Sequence, residues 1–166
     1  MKKVLFLCLI ITTLFFVSCN KNKANDEESN PAPAPTTTPL EGRWVASDSI
    51  STLTVTLNLT FSGTNISYAT TMVDNSTTPP DTTVITLSGT FRLDSGNLYT
   101  TFNAASCNNN GTTITDVATL TASNLLPVPV DNTERRFGSY SINGSTLAIT
   151  DNTDPANPVT VTFTKQ

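Results

Sequence analysis

From Leu40 onward the chain alternates apolar and polar residues, most plainly where Leu53, Val55, Leu57, Leu59 and Phe61 are separated by Thr54, Thr56, Asn58 and Thr60. Successive side chains of a strand point to opposite faces, so this period of two predicts a strand with one buried face. The same alternation returns at Ile85, Leu87, Gly89, Phe91 and Leu93, and at Val159, Val161 and Phe163. It is weaker over residues 114–122, where Ala118 and Leu120 would point inward and Asp116 would share their register. Strands are predicted at residues 43–49, 52–61, 65–73, 82–94, 97–103, 112–122, 135–142, 145–151 and 159–164. Between them lie turn signals at hairpin spacing: Gly63, Gly96, and Asn143 with Gly144, which reads as the centre of a type I′ turn. Longer breaks are predicted at residues 74–81, 103–111, 125–132 and 151–158, and no stretch shows a sustained helical period.

Eight or nine antiparallel strands with one apolar face must bury that face against itself. The expected fold is therefore all-β, an antiparallel up-and-down meander of 8–9 strands closed into a barrel. A β-sandwich is the alternative, disfavoured because most links are too short for Greek-key crossovers.

Before this domain the pattern is different. Lys2 and Lys3 precede an apolar run at residues 4–17, broken by Thr12 and Thr13, which reads as a signal peptide too short to span a bilayer as a stable helix. It ends in Phe16, Val17, Ser18 and Cys19, which resembles a lipobox with Phe16 where Leu is usual. The resemblance implies cleavage before Cys19 and lipid on its thiol, and two or three acyl chains at about 0.8 kcal/mol per buried methylene make such an anchor permanent. Residues 20–39, with Asp26, Glu27, Glu28 and a proline-rich stretch from Pro31 to Pro39, lack apolar surface to bury and read as a tether. The expected organisation is thus a leader at 1–18, a lipidated Cys19 and tether at 19–39, and a barrel at 40–166. The expected location is the cell envelope, with the lipid in the outer membrane.

The 166 residues include no His and only three Cys, and they carry a formal net charge of −4. Cys8 lies in the leader and Cys19 at the cleavage junction, which leaves Cys107 alone in the domain, so no disulfide forms within it. Without His, the standard triads and zinc sites are excluded, and neither a catalytic residue, a metal nor a cofactor is expected. Cys107 falls in a predicted loop with no basic neighbour, as an inert or dimer-forming thiol. Asp151 and Asp154 could offer oxygen to Ca²⁺ but read better as turn residues. The adjacent basic pair, Arg135 and Arg136, reads as a solvated strand start and not as a phosphate footprint, so no nucleic acid is expected.

The domain opens with Gly42, Arg43 and Trp44 and closes with Gly138, Tyr140, Ile142, Leu147, Ile149, Val161, Phe163 and Lys165 in strand register. Together these resemble the lipocalin-like domains of bacterial lipoproteins over residues 40–166. The resemblance implies that Trp44 plugs a closed barrel end under a basic side chain, for which Lys165 is the positional candidate. It also implies a small apolar or amphipathic ligand at the other end, walled by Leu57, Leu59, Phe61, Leu87, Phe91, Tyr99 or Phe102, and Tyr140, with Asp116 either lining that cavity or marking a bulge or strand end. The competing reading is an envelope interaction protein: a solid barrel carrying loops that touch another protein or a polysaccharide. Leu125, Leu126, Val128 and Val130, apolar and stiffened by Pro127 and Pro129, are its candidate contact loop.

Overall fold

The structure, a computed structural model, describes residues 38–154 and 156–166. The expectations for the leader, Cys19 and most of the tether lie outside the described residues. The elements are β1 (Gly42–Ile50), β2 (Leu53–Ser62), β3 (Asn65–Asp74), β4 (Asp81–Asp94), β5 (Asn97–Asn109), β6 (Thr112–Ile114), α1 (Val117–Ala122), β7 (Arg135–Asn143), β8 (Thr146–Asp151) and β9 (Val159–Lys165). Hydrogen-bonded neighbours run β4-β3-β2-β1-β9-β8-β7-β5, and β5 pairs back onto β4. The eight strands form a closed antiparallel up-and-down barrel, and β6 is an extra strand paired only with the far end of β5.

Alternation places the core. Val55, Leu57, Leu59 and Phe61 of β2 face Ile66, Tyr68 and Thr70 of β3 and Ile85, Leu87 and Phe91 of β4 inside the barrel, all buried. Leu59, Leu87, Leu98 and Leu147 are wholly inaccessible, each contributing about 1.5–3 kcal/mol by burial. Phe61 and Phe91 meet edge to face with ring centroids 4.9 Å apart. All buried apolar side chains of the described residues join one cluster between Leu40 and Phe163.

Several expectations are corrected. The strand expected at 112–122 is three residues of β6 followed by α1. Asp116 starts the helix, with its carboxylate accepting from the Thr119 amide at 2.8 Å, and Ala118 is exposed while Leu120 is buried. A helix of six residues is too short to show a helical period beside the alternation that Ala118 and Leu120 mimic. The break expected at 103–111 is instead the second half of β5. A bulge shifts the register opposite Ser88 and Gly89, so the inward set passes from Phe102 to Ala105 and Cys107 and the simple alternation is lost. An ideal Cβ on Gly89 would lie 1.9 Å from the Thr101 carbonyl oxygen, so only glycine fits at this rung. Cys107 is consequently a buried core residue, out of reach of a second chain's thiol. In the hairpin after β7, Asn143 pairs with Thr146 and Gly144 has φ 58°, whereas Ser145 is not in positive φ, the signature of a type II′ and not a type I′ turn.

Candidate functional site

The two ends of the barrel differ. At one, Trp44 and Leu40 are fully buried, and the indole Nε1 donates to the Leu40 carbonyl at 2.7 Å. Trp44 is the cross-strand partner of Lys165, whose ammonium lies 5.2 Å from the ring centroid. Gly42, at φ 111°, leaves room for this side chain: a Cβ there would come within 3.2 Å of Lys165 Cε. With Leu59, Phe61, Leu98, Leu147 and Phe163 buried around it, this end is filled.

The other end is built unevenly. β1 to β5 are 9 to 14 residues long, whereas β8 and β9 have 6 and 7. β1 and β9 are paired only at Trp44 with Lys165 and Val45 with Thr164. Beyond that seam Ala46 and Val161 both face inward yet are only part-buried, as are Met72 on β3 and Phe137 and Tyr140 on β7. Water therefore reaches interior-facing apolar side chains along this side of the barrel. Phe137 is the extra residue of a bulge in β7, which turns its ring inward to meet Tyr68 at 5.9 Å and Phe102 at 6.4 Å. Thr70, between Tyr68 and Met72 on the inward face of β3, is 2% exposed, and its hydroxyl lies beside the Tyr68 phenol. Burial pushes the Tyr68 phenol up, with a smaller opposing pull from the Thr70 hydroxyl.

Over the β5 side this end is covered. α1 packs on β5. Val128 is buried, Leu125, Leu126 and Val130 are part-buried against the core, and the Asn132 amide donates to the Phe102 carbonyl at 3.2 Å. The proline-stiffened loop is therefore a lid packed on the barrel and not an exposed apolar patch, because its side chains fill the space left where β7 pairs only with residues 97–100 of β5.

The residues named from the sequence thus separate. Leu57, Leu59, Phe61, Leu87, Phe91 and Phe102 come together as buried core, Tyr140 faces the interior part-exposed, and Tyr99 points outward, under the guanidinium of Arg92. Asp116 lines no cavity: it is exposed and spent on capping α1. Met72, Thr70, Val161 and Phe137 are wall residues not named from the sequence, the first three although alternation alone puts them on the inward face; Phe137 needs the bulge, which has no signal before the pairing is known. Asp151 and Asp154 bind nearby backbone amides, Thr153 at 2.8 Å and Ala156 at 3.0 Å, as turn residues do. A shallow groove of about 350 Å³ lies where the Gly89 rung bends the sheet, lined mostly by polar residues of the outer face, among them Thr60, Ser62, Ser67, Thr90 and Asn103. No protein-family model, no curated protein and no solved structure matches the chain.

Proposed function

We propose that the chain is a lipid-anchored lipoprotein of the bacterial envelope whose lipocalin-like barrel binds a small apolar or amphipathic molecule. The observation that carries the binding reading is the set of interior-facing apolar side chains that remain accessible, Ala46, Met72, Phe137, Tyr140 and Val161, beside a filled closed end. Ligand sites are concave, mostly apolar and partly pre-formed, and an apolar wall wetted by solvent gains free energy when a ligand replaces that water. The contact-loop reading loses its main support, since Leu125 to Val130 are committed to the lid. The anchor rests on the sequence: Lys2 and Lys3, the apolar run and the Ser18-Cys19 junction. No catalytic role is assigned.

The test is titration of a neutral fluorescent probe, N-phenyl-1-naphthylamine, into residues 20–166, which retain the whole described barrel and its core. Saturable one-to-one binding is the expected result, abolished by Met72→Trp, which fills the accessible wall. Binding that is absent, or that Met72→Trp leaves unchanged, overturns the reading. For the anchor, the full chain expressed in a bacterium should partition into membranes and incorporate labelled palmitate, and Cys19→Ser should release it; membrane association without Cys19 would refute lipidation.

A further inference from the structure

Two positions place asparagine directly before glycine: Asn110 before Gly111 and Asn143 before Gly144. Each lies at the tip of a hairpin, the first between β5 and β6 and the second between β7 and β8, and each asparagine is exposed. Such a dipeptide carries its own chemistry. The glycine amide nitrogen can attack the side-chain carbonyl carbon of the asparagine, because glycine has no Cβ to crowd the approach. The fold treats the two positions differently.

Asn110 is clamped. Its Oδ1 accepts from the Thr82 amide at 2.7 Å, its Nδ2 donates to Asp81 at 2.9 Å, and its own amide donates to the Thr82 carbonyl at 2.9 Å. The Gly111 amide, which would be the nucleophile, donates to Asn108 Oδ1 at 3.0 Å. The side chain therefore cannot swing toward Gly111 without breaking its bonds to the start of β4, and the attacking N–H is occupied. Asn143 has none of these restraints among the described residues. Neither its side chain nor the Gly144 amide makes a hydrogen bond there, and nothing lies within 4 Å of a Cβ placed on Gly144. Only the terminal rung, Asn143 with Thr146, has to open for the chain to turn into the reactive geometry, and terminal rungs fray at little cost.

We propose that Asn143 is a site of spontaneous deamidation in the folded protein and that Asn110 is protected from it. The Gly144 nitrogen gives up its proton to solvent and bonds Cγ of Asn143; the Cγ–Nδ2 bond breaks, and the side-chain nitrogen takes a proton from water and leaves as ammonia. Solvent water then opens the cyclic imide at either carbonyl, so that one water is consumed for each ammonia released. One opening gives aspartate; the other gives isoaspartate, whose backbone runs through the former side chain and gains a methylene. Both add a carboxylate at the closed end of the barrel, beside Ser145, whose carbonyl accepts from the Lys165 amide at 2.8 Å. The inference is independent of the ligand reading and concerns the opposite end of the barrel.

Peptide mapping by mass spectrometry of residues 20–166, incubated at mildly alkaline pH either native or in urea, follows the two asparagines separately. In urea they should convert at similar rates, since each is followed by glycine and then a hydroxyl residue. In the native protein Asn143 should convert at least about tenfold faster than Asn110, whose clamp of four hydrogen bonds must first be broken. Asp81→Ala, which removes one arm of the clamp, and Asn108→Ala, which frees the Gly111 amide, should each speed Asn110 severalfold and leave Asn143 unchanged. Native Asn110 converting as fast as Asn143, or Asn110 indifferent to both substitutions, would overturn the protection. Native Asn143 remaining intact over the time in which both residues convert in urea would overturn the site itself.

Discussion

Gly89→Ala should be among the most damaging single-methyl additions to this barrel. The new Cβ would sit 1.9 Å from the Thr101 carbonyl oxygen and 2.8 Å from Phe102 Cα, both backbone atoms that no rotamer change can move. Restoring ordinary contact requires β4 and β5 to part by more than about 1 Å at the Gly89–Phe102 rung. Two ladder hydrogen bonds at about 1 kcal/mol each would be weakened. Displacing Phe102 and Phe91 from a filled core adds about 1–3 kcal/mol, and the lower entropy of unfolded alanine returns only about 0.4–1 kcal/mol. The net loss is about 2–4 kcal/mol, which at a urea dependence near 2 kcal/mol/M lowers the unfolding midpoint by about 1–2 M. Gly63→Ala is the control: Gly63 has φ 59° but nothing within 4 Å of its Cβ, so its cost is backbone strain alone, about 1 kcal/mol. Equilibrium urea unfolding of residues 20–166, followed by far-UV circular dichroism, measures both. A Gly89→Ala loss no larger than that of Gly63→Ala would refute the steric argument and the bulge geometry behind it.

Two further outcomes follow from the burial and hydrogen bonding. In residues 20–166 Cys107 is the only thiol and is 3% exposed, so a thiol reagent should label it at the rate of global unfolding and stoichiometrically in denaturant; fast labelling of the native protein would place it at the surface. Hydrogen bonds hold the carboxyls of Asp74, Asp94, Asp116, Asp154 and Glu134 below their ordinary range, led by the Ser76 amide, the Ser95 hydroxyl, the Thr119 hydroxyl, the Asn157 side chain and the Arg92 guanidinium in turn. A carboxyl depressed in the folded state contributes stability above its unfolded pKa and loses it as pH falls through the folded value. The melting temperature should therefore be flat from about pH 7 to about 5 and fall below about 4, with Asp116→Ala, which uncaps α1, lowering the neutral-pH value by a few degrees and flattening the acid limb. A melting temperature that rises as the pH is lowered through this acid range would contradict this.

Alternation by itself determined most of the barrel. The inward sets of β2, β4, β8 and β9 were legible because a strand buried on one face repeats every two residues, and the Gly63 and Gly96 turns fixed where the chain reverses. Composition alone, with no His and a solitary domain cysteine, excluded the standard triads and zinc sites. What the sequence could not reveal was where alternation breaks. The bulge opposite Gly89 changes the parity of β5 and extends it through residues that looked like a loop, although the Asn110-Gly111 dipeptide, with φ 48° and 90°, was an available hairpin signal. The bulge in β7 turns Phe137 inward, and Asp116 converts an apparent strand into a capped helix. Local hydrogen bonds and cross-strand register decide these points, and neither leaves a period in the chain.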